Sequence, residues 1–141
     1  TLTEDWVPRF AEADGSLTLD IEDVPEIEAD EELLADALNN LLSNALKYRR
    51  EDRTHSCTFK LHREGAVTVF EVIDNGLGVP ANMRKTIFER FARVEGDGRG
   101  KSGGHGLGLS FVAETAAAHG GTIECREGID GGAHFILKIR G

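Results

Sequence analysis

"EELLADALNNLLSNALKY", residues 31–48, carries two patterns at once. Leu33, Leu34, Ala37, Leu38, Leu41, Leu42, Ala45 and Leu46 recur at helical spacing and make one broad apolar face. Asp30 suits the N-cap, and Glu31 and Glu32 suit the positive end of the helix dipole. At about 100° per residue, Asn40, Asn44 and Lys47 fall within roughly 60° of one another, with Tyr48 beside them. Asparagine is a poor helix former, and a solvated face is better served by Glu, Lys or Arg. Two readings stand side by side: tolerated surface asparagines, or amide oxygens offered to a hard cation with the Lys47 ammonium offered to a phosphate. Mg²⁺ prefers oxygen ligands and commonly bridges one or two protein groups to substrate phosphates.

Outward from this helix, the chain alternates between strand and helix patterns. "SLTLDIEDV" (16–24) alternates as a strand, and the opening "LTEDWVPRFAEAD" predicts a short helix with Trp6 and Phe10 packed on the body. "SCTFKLHREGAVTVFEVIDNG" (56–76) reads as two strands turning at Glu64-Gly65, the second ending at Asp74. Residues 80–94 read as a helix opening at Pro80, with Ile87, Phe88 and Phe91 on one face. A second long helix spans about 107–119, stopped by His119-Gly120-Gly121, and "TIECRE" with "AHFILKI" forms a closing hairpin. The sum is an α/β sandwich: a mixed sheet of about five strands with about three helices layered on one face.

The composition is that of one folded domain. The chain has 141 residues, 40% hydrophobic and 29% charged, with no apolar run long enough for a membrane span and no signal-peptide pattern. Cys57 and Cys125 lie in strand-like stretches without metal-ligand spacing, and read as buried reduced thiols rather than a disulfide or metal site. A cytoplasmic setting follows. The net charge of −9 argues against a nucleic-acid partner. Residues 1–36 carry 13 acids and one base, whereas the basic residues Arg84, Lys85, Arg90, Arg93, Arg99 and Lys101 gather in 84–101. That segment is either a solvated loop of mixed charge or a place to hold a small polyanion.

Two further stretches bear on chemistry. "EVIDNGLGVP" (71–80) sets Asp74 where a strand opens into a loop containing Gly76 and Gly78. A carboxylate only accepts hydrogen bonds, so it suits the exocyclic amine of adenine and not the carbonyl of guanine, although Asp-Asn-Gly is also an ordinary turn. "SGGHGLGLS" (102–110) runs from glycines into a helix, an arrangement that offers bare amides to an anion. It is not the dinucleotide fingerprint, and no Gly-Lys-Ser/Thr closes it as a P-loop would.

Taken together, "NNLLSNALKY", "DNGLGV", "IFERFARV" and "GGHGLGL" resemble the N box, first glycine box, F box and second glycine box of sensor histidine kinases. These belong to the GHKL superfamily, which includes the type II topoisomerases and Hsp90. The resemblance covers about residues 16–140 and implies the Bergerat ATP-binding fold. It implies that Asn44 binds Mg²⁺, with Asn40 as a catalytic-site residue one turn before it, and that Lys47 reaches the phosphates of ATP while Tyr48 packs along the nucleotide. Asp74 would read adenine, with Gly76 and Gly78 admitting the base. Phe88 and Phe91 would anchor a lid at about 81–106, with Arg90 and Arg93 as phosphate contacts. Gly104, Gly106, Leu107, Gly108 and Leu109 would supply amides at a helix start.

The family's hydrolases place a Glu where this chain has Asn40, and an amide is no general base. The resemblance therefore implies a kinase domain that presents the γ-phosphate of Mg²⁺-ATP to a histidine on a separate dimerisation domain. A nucleotide-sensing pseudokinase and a GHKL ATPase or clamp are the alternatives. Residues 1–15 would lead in from that missing domain, and 16–141 would form the catalytic domain, serving a response regulator downstream. No direct membrane contact is expected of this domain, even where the parent protein is membrane-anchored. Two positions depart from the pattern: Ala133 stands where relatives have Ser or Thr, and His105 replaces a small polar residue.

Overall fold

The computed structural model describes residues 2–23, 29–89 and 108–140. Eight main elements follow in chain order: α1 (Leu2–Glu12), β1 (Ser16–Ile21), α2 (Glu31–Lys47), β2 (Ser56–Glu64), β3 (Val67–Asp74), α3 (Gly108–Ala118), β4 (Thr122–Glu127) and β5 (Ala133–Arg140). The strands form one sheet in the order β1-β2-β3-β5-β4. The β1–β2 pair is parallel, and the remaining pairs are antiparallel. This is the expected mixed five-stranded sheet with three helices.

Strand alternation divides the sheet into two unlike faces. Cys57, Phe59, Phe70, Val72, Phe135, Leu137 and Ile139 point into the core, where they meet Leu38, Leu41 and Leu42 of α2 and Val112 and Ala116 of α3. Each fully buried large side chain there contributes about 1.5–3 kcal/mol. Trp6 and Phe10 of α1 join the same core, as expected, and the Trp6 indole N–H donates to Asn39 Oδ1 at 2.8 Å. On the other face, Glu71 of β3 bridges two neighbouring strands. One carboxylate oxygen pairs with His62 Nε2 and the other with His134 Nε2, each at 2.7 Å. Burial pushes the Glu71 carboxyl up, but the hydrogen bonds and charge of the two imidazoles outweigh it and hold it below the ordinary value.

α2 and α3 run antiparallel, joined at both ends of their contact. At one end His119 closes α3: its Nδ1 bonds Thr115 O at 2.7 Å, and its Nε2 accepts the Asp30 backbone N–H at 3.0 Å. At the other end Gly108, the first residue of α3, stands so close to Asn40 that an added Cβ would lie 3.1 Å from Asn40 Oδ1.

Two local expectations change. The hairpin turn is Gly65-Ala66, one residue later than expected, because Glu64 still pairs with Val67 and Gly65 takes φ +61°. The described part of the expected 80–94 helix is a pair of 3-10 turns, Ala81–Met83 and Thr86–Phe88. Arg84 Nε bonds back to Val79 O at 3.0 Å and Thr86 Oγ1 to Met83 O, while Ile87 is buried in the core. These anchors pin the short segment turn by turn, so that no α-helical ladder forms among residues 80–89. Gly120, with φ +66°, ends α3 as expected.

Candidate functional site

The C-terminal end of β3 is where the sequence's chemistry gathers. Asp74 is only 4% exposed, and its Oδ1 accepts the N–H of Gly76 at 2.8 Å and of Ala133 at 3.2 Å. These backbone donors orient the carboxylate. Cys57, the cross-strand partner of Asp74, is a buried thiol whose pKa is raised by burial and then by the charge of Asp74.

The two glycines after Asp74 are required by their neighbours. A Cβ on Gly76 would stand 2.6 Å from the Tyr48 carbonyl oxygen. Gly78 has φ +70°, and a Cβ there would run into the Gly131 carbonyl oxygen. The loop after Asp74 is thus wedged between the end of α2 and the β4–β5 loop. Leu77 N–H donates to Tyr48 O at 2.9 Å, which fastens the first of these contacts.

The polar stripe of α2 leads away from this corner. Asn40 and Asn44 are half-buried, and Lys47 is exposed with its Nζ 5.9 Å from the Tyr48 ring centroid. Asn44 O accepts the Tyr48 N–H and closes the helix, while Asn40 meets the start of α3. The neighbouring Asn39 faces α1 and belongs to the Trp6 contact. Phe88 lies edge-on to Phe135 at 6.2 Å, and Leu109 packs on the core.

The structure therefore brings Tyr48, Asp74, Gly76 and Gly78 together directly, and places Asn40 against Gly108. Arg90, Phe91, Arg93, Gly104, Gly106 and Leu107, with most of the expected lid and His105, lie outside the described residues.

Sequence reasoning missed most of the connector between α2 and β2, residues 49–55. Arg53 Nη1 donates to Asp130 O at 3.0 Å, spanning from this connector to the β4–β5 loop. His55 is 2% exposed and stacks on Phe10 at 5.4 Å; among the described residues neither ring nitrogen has a partner at good hydrogen-bond geometry, though the Asn75 side chain lies near enough to act on the imidazole. Burial, and next the Arg49 guanidinium, lower the pKa of its imidazole. Only the strand boundary at Ser56 was available as a signal for this segment.

Comparison with known proteins places this geometry. Residues 29–141 match the family described as histidine kinase-, DNA gyrase B- and HSP90-like ATPase. Sensor histidine kinase TmoS of Ectopseudomonas mendocina is 40% identical over 126 residues, covering 88% of this chain and 13% of that protein. The adaptive-response sensory kinase SasA of Gloeothece citriformis is 37% identical, covering 93% of this chain and 33% of that protein. Among solved structures, full-length ShkA in complex with AMPPNP matches with TM-score 0.81 and 28% identity, over 98% of this chain and 28% of ShkA. The nucleotide-free catalytic domain of histidine kinase ThkA shares the fold, with TM-score 0.82 and 21% identity over 99% of this chain and 91% of that one. The chain belongs to this ATPase family and, within it, is an ATP-binding catalytic domain of the sensor histidine kinase type. It spans a third or less of the length of these two kinases.

Proposed function

We propose that this chain binds Mg²⁺-ATP in the corner between α2, the end of β3 and the start of α3, and presents the γ-phosphate to a histidine on a separate dimerisation domain. The observation that carries the reading is the buried Asp74 carboxylate, oriented by two backbone N–H groups beside a loop that needs glycine. Such a carboxylate accepts from the adenine amine and opposes the guanine carbonyl. Tyr48, Gly76 and Gly78 shape the place of the base, and Lys47 supplies a mobile positive charge for phosphate.

The residues present fit Mg²⁺. Asn44 and Asn40 offer neutral, hard oxygen donors, and the missing side chain of Gly108 leaves room beside Asn40 Oδ1. Asn44 would hold the ion, with Asn40 steadying the metal–phosphate region. The bound ion would supply neutralisation of phosphate charge. Phe88, Arg90, Phe91, Arg93, Gly104, Gly106, Leu107, Gly108 and Leu109 complete the proposed ATP contacts. Asn40 cannot take a proton from water, which favours transfer over hydrolysis.

The phosphoacceptor domain and a response regulator are the partners this reading requires. Calorimetric titration with ADP and GDP, in Mg²⁺, tests the pocket. Wild type is expected to prefer ADP, and Asp74→Asn to weaken ADP by about 10–100-fold, the worth of a charged hydrogen bond. Equal binding of both nucleotides, or an unaffected Asp74→Asn variant, would overturn the pocket. Stable radiolabel from γ-labelled ATP on the isolated chain would overturn the need for a separate histidine domain.

A further inference from the structure

Next to Asp74 stands a buried side chain to which the proposed function gives no role. Asn75 is 8% exposed and faces the connector between α2 and β2. Its backbone N–H donates to Ser56 O at 3.1 Å. Its Oδ1 accepts the Ser56 N–H at 2.9 Å, and its Nδ2 donates to Thr54 O at 2.9 Å. One residue thus satisfies three backbone groups of a neighbouring segment.

We propose that Asn75 is a positioning residue for base selection, acting through Asp74; this rests on the nucleotide-binding reading above. The β2–β3 ladder ends at the pair Cys57 and Asp74. In a continuing strand, Ser56 N–H would bond the Asn75 backbone carbonyl, the reciprocal of the Asn75 N–H bond to Ser56 O. Here the Asn75 side chain supplies that acceptor, so the main chain leaves the ladder without orphaning a buried donor. That departure lets Gly76 N–H turn back onto Asp74 Oδ1. The carboxylate is held on one side by Gly76 and Ala133, while Asn75, the residue between Asp74 and Gly76, is held on the other side by Ser56 and Thr54.

The chemistry singles out an amide. Ser56 N–H needs an acceptor and Thr54 O needs a donor, and a carboxamide offers both from one planar group. Aspartate supplies the acceptor but sets a carboxylate against the Thr54 carbonyl. Alanine supplies neither. Loosening these contacts frees the 75–76 peptide to rotate, and that rotation moves the Gly76 N–H that aims Asp74. The Arg53 bond to Asp130 O and the Leu77 bond to Tyr48 O stitch the same connector to the pocket's other walls, so the disturbance stays local.

The test is titration of wild type, Asn75→Ala, Asn75→Asp and Asp74→Asn with ADP and with GDP, each variant checked by thermal unfolding. Asn75→Ala is expected to weaken ADP about tenfold, and to reduce the preference for ADP over GDP at least threefold. Asn75→Asp, which keeps the Ser56 contact, is expected to fall between wild type and Asn75→Ala, and it carries the test if the alanine variant does not fold. A merely structural role would lower the unfolding temperature and weaken both nucleotides by the same factor, and that result overturns the proposal. Wild-type selectivity in a folded Asn75→Asp also overturns it, while Asp74→Asn, still losing selectivity, leaves the pocket intact. A wild type without preference for ADP removes the pocket reading and this inference together.

Discussion

The two ends of the proposed site are built by different means. At the base end Asp74 is buried, held by two backbone N–H groups, and bounded by glycines packed against carbonyl oxygens. At the phosphate end Asn40 and Asn44 are half-buried and Lys47 is exposed on the helix surface. The base end is completed by folding itself, so its geometry is set before any ligand arrives, and little ordering remains on binding. The phosphate end keeps its polar groups near water, where they can follow a charged ligand through more than one state. On the proposed reading, the difference gives selectivity to the buried end and adaptability to the exposed one.

The sharpest way to break this contrast is to disturb the rigid end. Gly78→Ala places a Cβ at positive φ and into the Gly131 carbonyl oxygen, and is expected to cost about 3 kcal/mol of stability by denaturant unfolding. An unchanged midpoint would mean that the base end yields easily. Lys47→Ala examines the other end. It should leave the unfolding temperature within about 1 °C and weaken ADP about threefold, with adenosine binding unchanged. Equal losses for ADP and adenosine would place Lys47 at the base instead.

A smaller effect concerns pH. The folded state lowers the pKa of His55 below its ordinary 6.5, so the unfolded chain takes up the proton first as pH falls. Stability is lost as pH drops from 6.5 toward the folded value. His55→Phe keeps a ring on Phe10 without a proton to gain, so its stability relative to wild type should rise between pH 7.5 and 5.5. A constant difference in thermal melts would remove His55 as the cause. Glu71 acts in a separate, more acidic window: its lowered pKa gives stability above the ordinary 4.5 that is lost as pH falls through the folded value.

Periodicity made most of this legible. The apolar face of α2, the alternation of β2 and β3 and the glycine stop of α3 are local patterns, and each element formed where its pattern lies. Asp74 and its glycines could be read because their loop is contiguous. Asn75 could not, since its partners Thr54 and Ser56 are 21 and 19 residues away and become neighbours only through strand pairing. The Arg53 contact with Asp130 O spans 77 residues and leaves no sequence signal. The 3-10 turns at 81–88 were obscured because apolar residues at spacings of three and four fit either helix type over so short a run.

His119 has a mechanical consequence. Its ring is a rivet: because Nε2 accepts from Asp30, the proton must sit on Nδ1, and both nitrogens are committed. The rivet joins the end of α3 to the start of α2, a helix length away from the meeting of Gly108 and Asn40. The two helices are thus tied differently at the two ends of their contact, by a side-chain hydrogen bond at one and by close packing at the other. On the proposed reading, a ligand that presses on the start of α3 would load a helix whose far end is tethered to α2 through the His119 ring.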